Sequence, residues 1–169
     1  MILWIIGLAG SGKTTIGKSL YQELKKKEPS TVFIDGDEFR KIFKDDIGHD
    51  LHSRKINSER LKQICLLLDS QKINVICSVL SIFQEDRDWC RENMSKFYEI
   101  YIKVPMEILK ARDQKNLYSK ALNGQIKNVV GVDLEFSEPT KPDIIIKNSE
   151  GLEKYLSNVN KILKILGYS

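Results

Sequence analysis

Short apolar runs rich in β-branched residues alternate along the chain with longer stretches whose apolar positions recur at helical spacing. The runs are predicted strands, at Ile2–Ile6, Thr31–Ile34, Ile73–Leu80, Tyr98–Val104 and Asp143–Ile146. The stretches between them are predicted helices, at 13–27, 57–71, 86–96, 106–113 and 151–166. Strands that alternate with helices form a parallel sheet covered on both faces. We therefore predict a single α/β domain over residues 1–169, with a parallel sheet of about five strands.

A glycine-rich turn, GLAGSGKTT (7–15), joins the first predicted strand to the first predicted helix. The spacing Gly7-x-x-x-x-Gly12-Lys13-Thr14 is that of a phosphate-binding loop. Its glycines let several backbone N–H groups point at one anion, while Lys13 can reach the β- and γ-phosphates and Thr14 offers a hydroxyl to Mg²⁺. An ordinary glycine turn is the alternative, but strand, loop and helix all agree with the motif. The loop therefore predicts ATP or GTP.

Two aspartates close the second predicted strand, in the sequence Asp35-Gly36-Asp37. Functional residues of a parallel sheet gather at the carboxyl ends of its strands, so this pair should face the phosphate loop. Phosphoryl transfer needs a metal near the β- and γ-phosphates and an acceptor hydroxyl aimed in line. One carboxylate can support the metal while the other accepts the proton of the attacking hydroxyl. The bland alternative is an Asp-Gly turn with solvated side chains.

The composition excludes several classes of protein. The chain has 169 residues, of which 41% are hydrophobic and 30% charged, with a net charge of +4. That charge is too small, and the aromatic residues too scattered, for a nucleic-acid platform. No apolar segment is long enough to span a bilayer, and the first residues read as a core strand rather than a signal peptide. Because Cys65, Cys77 and Cys90 form no CxxC pair, we expect thiols in a reducing cytoplasm.

The segment from Asp113 to Asp133 differs in character from the rest of the chain. It is polar, with lysines at 115, 120 and 127 and glycines at 124 and 131. Two interpretations are open from its composition. It is either a solvated surface loop or a lid that closes over the phosphates and excludes water.

Several longer stretches make the chain similar to the adenylylsulfate kinase family. They include IDGDEFR (34–40), LSIFQEDRDWCREN (80–93), ARDQKNLYSKALNGQIKN (111–128) and GVD (131–133), together with Arg54 and Asn57. The similarity runs from the phosphate loop to about Asn148. It implies a P-loop kinase fold in which residues 113–133 are the lid. It further implies that MgATP phosphorylates the ribose 3′-hydroxyl of a small nucleotide, which for this family is adenosine 5′-phosphosulfate. The resemblance leaves open whether the chain forms a homodimer.

The resemblance also implies roles for individual residues. Asp37 resembles the family's catalytic aspartate, with Asp35 and Thr14 at the metal. ATP would be held by Gly10, Ser11, Gly12, Lys13, Thr14 and Thr15, with Arg112 against its base. The acceptor nucleotide would be held by Asp37, Arg40, His49, Arg54, Asn57, Leu80, Ser81, Lys115, Asn128 and Val129.

The chain departs from the family where the acceptor's base should lie. The family sandwiches adenine between two phenylalanines, and the corresponding residues here are His49 and Val129. Its SPFR pattern is SIFQ (81–84) in this chain. Stacking on an aromatic ring contributes roughly 1–3 kcal/mol per base, so we expect an acceptor with another base or another group on its phosphate. Within the family, the chain resembles the branch that acts on a cytidine nucleotide with an amide-capped diphosphate. Adenosine phosphosulfate is the second candidate.

A GTP-binding switch protein is the alternative from another class. Such proteins usually select guanine with an Asn-Lys-x-Asp sequence after a late strand. The corresponding stretch here, IIIKNSEG (144–151), lacks it. ADP release that depends on an acceptor would separate a kinase from a switch.

Overall fold

Five parallel strands form the central sheet of the computed structural model, which describes residues 1–168. They are β1 (Ile2–Ile6), β2 (Thr31–Asp35), β3 (Asn74–Val79), β4 (Phe97–Lys103) and β5 (Ile144–Lys147). Their order across the sheet is β2-β3-β1-β4-β5. The predicted parallel α/β sheet is confirmed, and every predicted strand end lies within one residue of the observed end.

Eight α-helices and one short 3₁₀-helix lie between and after the strands within residues 1–168. The α-helices are α1 (Lys13–Lys27), α2 (Gly36–Ile42), α3 (Leu51–Ser70), α4 (Gln84–Asn93), α5 (Met106–Arg112), α6 (Leu117–Leu122), α7 (Leu152–Leu156) and α8 (Asn158–Ile165). The 3₁₀-helix, Gln114–Asn116, precedes α6.

Two apolar cores cover the two faces of the sheet. Alternate residues of the central strand β1 point to opposite faces, so Leu3 and Ile5 belong to one core while Ile2 and Trp4 belong to the other. The first core includes apolar residues of α1 and α8, and the second includes those of α3 and α4. With both faces covered, all of β1 is buried. This arrangement fixes the loop that follows β1 at the carboxyl edge of the sheet.

The helices differ from the sequence-based predictions in several places, among them α4, which is Gln84–Asn93 instead of 86–96, and α6, which was not predicted. Residues 36–42, for which no helix was predicted, form α2, because the Asp35 carboxylate caps its first backbone N–H groups. Helix α3 begins at Leu51 instead of 57, with Asp50 as its N-cap. The single helix predicted at 151–166 is divided at Ser157, where the Ser157 hydroxyl and the Asn158 amide donate to carbonyls of the preceding turn. Such side-chain bonds compete with continuous helix.

The cysteines Cys65, Cys77 and Cys90 are free and buried, and burial raises the pKa of the Cys90 thiol to about 12. Within residues 1–168, no helix combines the length and apolar character needed to cross a lipid bilayer.

Candidate active site

The phosphate loop lies between β1 and α1, where its shape depends on glycine. Gly12 has a φ of +99°, a conformation that side chains with a Cβ rarely adopt. A Cβ at Gly12 would also lie 2.7 Å from Asn148 Nδ2 and 3.0 Å from the Tyr155 ring. The first backbone N–H groups of α1 have no partner within the helix, and Gly12 offers no side chain to cap them. These N–H groups and the positive end of the helix dipole make an anion site.

Lys13 is half-buried at the start of α1 and folds back over the loop. Its Nζ donates to the Leu8 carbonyl oxygen at 2.9 Å. Burial lowers the pKa of Lys13 to about 8, and the nearby carboxylates of Asp37 and Asp35 oppose that shift in part. The positive charge of Lys13 is therefore poorly solvated before an anion binds, which favours its transfer to a phosphate.

Asp35 joins the phosphate loop to the second strand. One carboxylate oxygen accepts from Thr14 Oγ1 at 2.6 Å, and the other accepts from the backbone N–H of Asp37 at 3.0 Å. A hydroxyl and a carboxylate oxygen thus lie side by side at the loop. Oxygen donors of this kind are what Mg²⁺ prefers, so Thr14 and Asp35 fit a magnesium site.

Asp37 lies in the first turn of α2 with its carboxylate in solvent. Its Oδ2 lies 3.2 Å from Lys115 Nζ, and both side chains are largely exposed, at 74% and 82%. An ion pair in that environment is weak, so it leaves the Asp37 carboxylate free to accept a proton from another group. Lys115 and the next residue of the 3₁₀-helix, Asn116, both have a positive φ, of +62° and +55°.

Arg40 and His49 lie near Asp37 on the acceptor side. Arg40 is 9% exposed and donates from Nη1 to the Gly48 carbonyl oxygen at 3.0 Å. Burial lowers the pKa of the Arg40 guanidinium, an effect that Asp37 opposes. Burial also lowers the pKa of His49, as do the charges of Arg40 and Arg54, so His49 is held in its neutral form.

Arg54 connects α3 to the end of the predicted lid. Its Nη2 donates to the Asn128 carbonyl oxygen at 2.8 Å. Asn128 has a φ of +65°, and its backbone N–H and that of Val129 each donate to the Asp133 carboxylate at 2.6 Å. The side chain of Val129 is 4% exposed and belongs to an apolar core. Val129 therefore exposes little side-chain surface at the position where the family's clamp residue would contact the acceptor's base.

Leu80 and Ser81 follow β3, and a buried ion pair holds their loop. Ser81 has a φ of +31°, and its carbonyl oxygen accepts from Arg87 Nη1 at 2.7 Å. Arg87 pairs with Glu99 on β4 at 2.7 Å, and each of these two residues is 1% exposed. The ion pair thus fixes the direction of the Ser81 backbone.

Three buried polar atoms of the acceptor side lack partners. Among residues 1–168, Arg54 Nε, Asn57 Oδ1 and Ser81 Oγ make no hydrogen bond. A buried polar atom without a partner is costly, and a bound ligand can supply what is missing. Arg54 Nε can donate a hydrogen bond to a ligand, Asn57 Oδ1 can accept one, and Ser81 Oγ can do either.

The structure brings the predicted site residues together in two groups around the carboxyl edge of the sheet. The phosphate loop, Thr14 and Asp35 form one group, and Asp37, Arg40, His49, Arg54, Lys115 and Asn128 form the other. Arg112, predicted to lie against the ATP base, donates to the Gly10 carbonyl at 3.4 Å and the Asn148 carbonyl at 2.8 Å. Its guanidinium is therefore beside the loop.

Sequence reasoning missed five residues that support this site, one of them Tyr118, which bonds the Ala9 carbonyl and lies inside the quoted stretch 111–128. Asp133 and Arg87 fix the backbone on the acceptor side, and Asn148 and Tyr155 bond the phosphate loop. Asp133 and Arg87 lie inside the stretches GVD and LSIFQEDRDWCREN, and the resemblance of these stretches to the family was the signal that could have found them. Asn148 is 137 residues from its partner Ser11, and Tyr155 is 143 residues from Gly12. No local sequence pattern predicts contacts over such separations.

The adenylylsulphate kinase family model matches residues 1–147. The chain belongs to this family, and it is a phosphotransferase of the P-loop kinase fold.

Individual relatives agree with that assignment. The chain is 44% identical over 151 residues to the cytidine diphosphoramidate kinase of Campylobacter jejuni, covering 88% of this chain and 86% of the relative. It is 36% identical over 167 residues to the adenylyl-sulfate kinase of Clostridium kluyveri, covering 98% and 83%. The structure of the Mycobacterium tuberculosis APS kinase CysC, in complex with AMPPNP and APS, has a TM-score of 0.86 at 26% identity and covers 98% of this chain and 96% of that one.

Proposed function

We propose that this kinase uses MgATP to phosphorylate the ribose 3′-hydroxyl of cytidine diphosphoramidate. The observation that carries the acceptor's identity is the 44% identity to the cytidine diphosphoramidate kinase of Campylobacter jejuni. His49 supports it, because this residue stands where the family has an aromatic clamp for adenine, beside charged groups that would grip a diphosphate.

Asp37 is the proposed general base. In the reaction, the 3′-oxygen forms a bond to the γ-phosphorus of ATP, the bond from that phosphorus to the β,γ-bridging oxygen breaks, and ADP leaves. The proton of the 3′-hydroxyl passes to Asp37 Oδ2. The exposure of this carboxylate and its weak pairing with Lys115 support the role, because a proton acceptor must be accessible to the hydroxyl.

Lys13 and the loop N–H groups are the proposed binding groups for the transferred phosphoryl. Their positive charge stabilises the negative charge that develops on the phosphate oxygens. Thr14 and Asp35 would hold Mg²⁺, which would supply positive charge that offsets the negative charge of the phosphate oxygens. The bond between Thr14 Oγ1 and Asp35 Oδ2 supports this pairing, since one ion can contact both oxygens.

Arg40, Arg54 and Lys115 are the proposed contacts of the acceptor's 5′-diphosphate group. Two guanidinium groups offer forked donors that match phosphate oxygens. The unpartnered Asn57 Oδ1 and Ser81 Oγ would complete their hydrogen bonds with the nucleotide. Leu80 and Asn128 would line the rest of this subsite, to which Val129, at 4% exposed, would add little side-chain surface. We further propose that the lid, 113–133, closes over both substrates in the cytoplasm, where ATP is supplied.

Side-by-side kinetics test this proposal. The chain is incubated with MgATP and either cytidine diphosphoramidate or adenosine phosphosulfate, ADP release is followed, and the site of phosphorylation is located by NMR. We expect a higher kcat/KM for the cytidine substrate and a phosphate on its 3′-oxygen. Preference for adenosine phosphosulfate would make the chain an adenylylsulfate kinase. ADP release that needs no acceptor would contradict both.

A further inference from the structure

Four consecutive carbonyl groups of the phosphate loop, those of residues 9–12, accept hydrogen bonds from side chains. A loop that binds phosphate through backbone N–H groups must keep its carbonyl oxygens away from the anion, because both carry negative charge. Those of residues 9, 10, 11 and 12 each accept from a different side chain, in the order Tyr118, Arg112, Asn148 and Tyr155.

The two tyrosines are the clearest members of this set. Tyr118 OH donates to the Ala9 carbonyl oxygen at 2.8 Å, and Tyr155 OH donates to the Gly12 carbonyl oxygen at 2.8 Å. Tyr118 is 1% exposed and Tyr155 is 3% exposed, so neither hydroxyl has water as an easy substitute. Burial raises the pKa of Tyr118 to about 12, which keeps its hydroxyl protonated as a donor.

The two tyrosines come from different parts of the chain. Tyr118 belongs to α6, inside the predicted lid, whereas Tyr155 belongs to α7 near the other end of the chain. The ring of Tyr155 also fills the space over Gly12 that a Cβ would occupy. Each ring therefore has a packing role that its hydroxyl does not share, and the two roles can be separated by substitution.

We propose that Tyr118 and Tyr155 are positioning residues of the donor site, whose hydroxyls turn the carbonyl groups of Ala9 and Gly12 away from the phosphates. This assignment rests on the proposed use of ATP at this loop. Both hydroxyls donate to the phosphate loop, on the donor side of the site. Loss of a hydroxyl should therefore weaken ATP binding and leave acceptor binding unchanged.

The variants Tyr118→Phe and Tyr155→Phe test the proposal, because phenylalanine keeps the ring and removes only the hydroxyl. Tyr168→Phe is the matched control, since Tyr168 OH donates to Glu28 Oε1 at 3.1 Å, away from the loop. Three quantities are measured: the Kd for AMPPNP by calorimetry, the KM for each substrate, and the melting temperature.

We expect a rise of about threefold to tenfold in the Kd for AMPPNP and in the KM for ATP for each tested variant, the size of one lost hydrogen bond. The acceptor KM and the melting temperature should stay near those of Tyr168→Phe. Unchanged AMPPNP binding in both variants, with normal binding by the parent chain, would overturn the inference. A parallel rise in both KM values with a lowered melting temperature would also overturn it, since that pattern indicates a structural role. A parent chain that binds no AMPPNP would overturn the proposed function and this inference with it.

Discussion

The donor and acceptor halves of the site are built in different ways. On the donor side, the loop at 7–15 follows a fully buried strand, and its backbone is held by side chains from four other parts of the chain. On the acceptor side, Asp37 and Lys115 are exposed, and buried polar atoms of Arg54, Asn57 and Ser81 are unpartnered in residues 1–168. The carbonyl groups of the donor loop are held without a ligand, although Ser11 Oγ in that loop is also unpartnered within residues 1–168, whereas the acceptor side leaves polar atoms of three side chains unpartnered. Phosphate binding therefore depends on backbone groups that other side chains hold in place. The choice of acceptor depends on side chains that still lack partners.

The largest expected effect comes from Asp37→Asn, which keeps the side-chain shape and removes the proton acceptor. General-base catalysis contributes about 10²–10⁴-fold, so kcat should fall by that factor with little change in melting temperature. Single-turnover rates measure it. Asp35→Asn is the informative companion: if Asp37→Asn kept most of its activity while Asp35→Asn was inactive, the two aspartates would have to exchange roles.

The next effect concerns the acceptor base. His49→Phe should restore one face of the family's aromatic clamp, and stacking worth about 1–3 kcal/mol corresponds to a gain of roughly fivefold to 150-fold for adenosine phosphosulfate. The kcat/KM for cytidine diphosphoramidate should stay the same or fall. His52→Phe, on the exposed face of α3, controls for a general effect of added aromatic surface. Equal changes in kcat/KM in both variants would show that His49 does not select the acceptor's base.

A smaller effect should follow from pH on the donor side. Because Lys13 has a pKa of about 8, it carries its positive charge below that pH and loses it above. The kcat/KM for ATP should therefore fall above pH 8 by up to about tenfold per unit, since this ratio reports ionisations of the free enzyme. Lys13→Arg should remove the fall, because arginine stays charged. A profile that declines identically in Lys13→Arg assigns the ionisation to another group.

The smallest effect should come from Asp133→Asn, which weakens the bonds from the Asn128 and Val129 backbone N–H groups. These bonds orient the carbonyl that Arg54 contacts. We expect the acceptor KM to rise about threefold to tenfold while the KM for ATP stays constant. Glu135→Gln, two residues along the same exposed segment, is the matched control. An increase confined to the KM for ATP would contradict the acceptor-side assignment of Asp133.

Sequence reasoning was strongest where chemistry depends on local spacing. The strands, α1 and the phosphate loop follow from short periodic patterns and a motif within nine residues, and they are confirmed. Helix α2 was missed because Asp35 was interpreted only as a functional residue, whereas its carboxylate also caps a helix.

The rest of the site depends on contacts between distant residues. The bond from Arg54 to Asn128 spans 74 residues, and the one from Lys115 to Asp37 spans 78. The predicted set came from resemblance to a family, and the roles of its members stay predictions. Val129 and its neighbour Val130 are both 4% exposed, and two adjacent valines in an otherwise polar segment give no helical or strand period from which their burial could be predicted.

The bonds that hold the phosphate loop have a consequence for how the protein is made. The strand before the loop pairs with residues 75–79 and 97–101, and the loop's carbonyl groups wait for partners at 112, 118, 148 and 155. On a ribosome adding about 5–20 residues per second, the nascent loop lacks these partners for several seconds. Residues among the first to be translated thus become part of a finished site only when nearly the whole chain has emerged, so a truncated product of translation would hold the motif without the ability to bind nucleotide tightly.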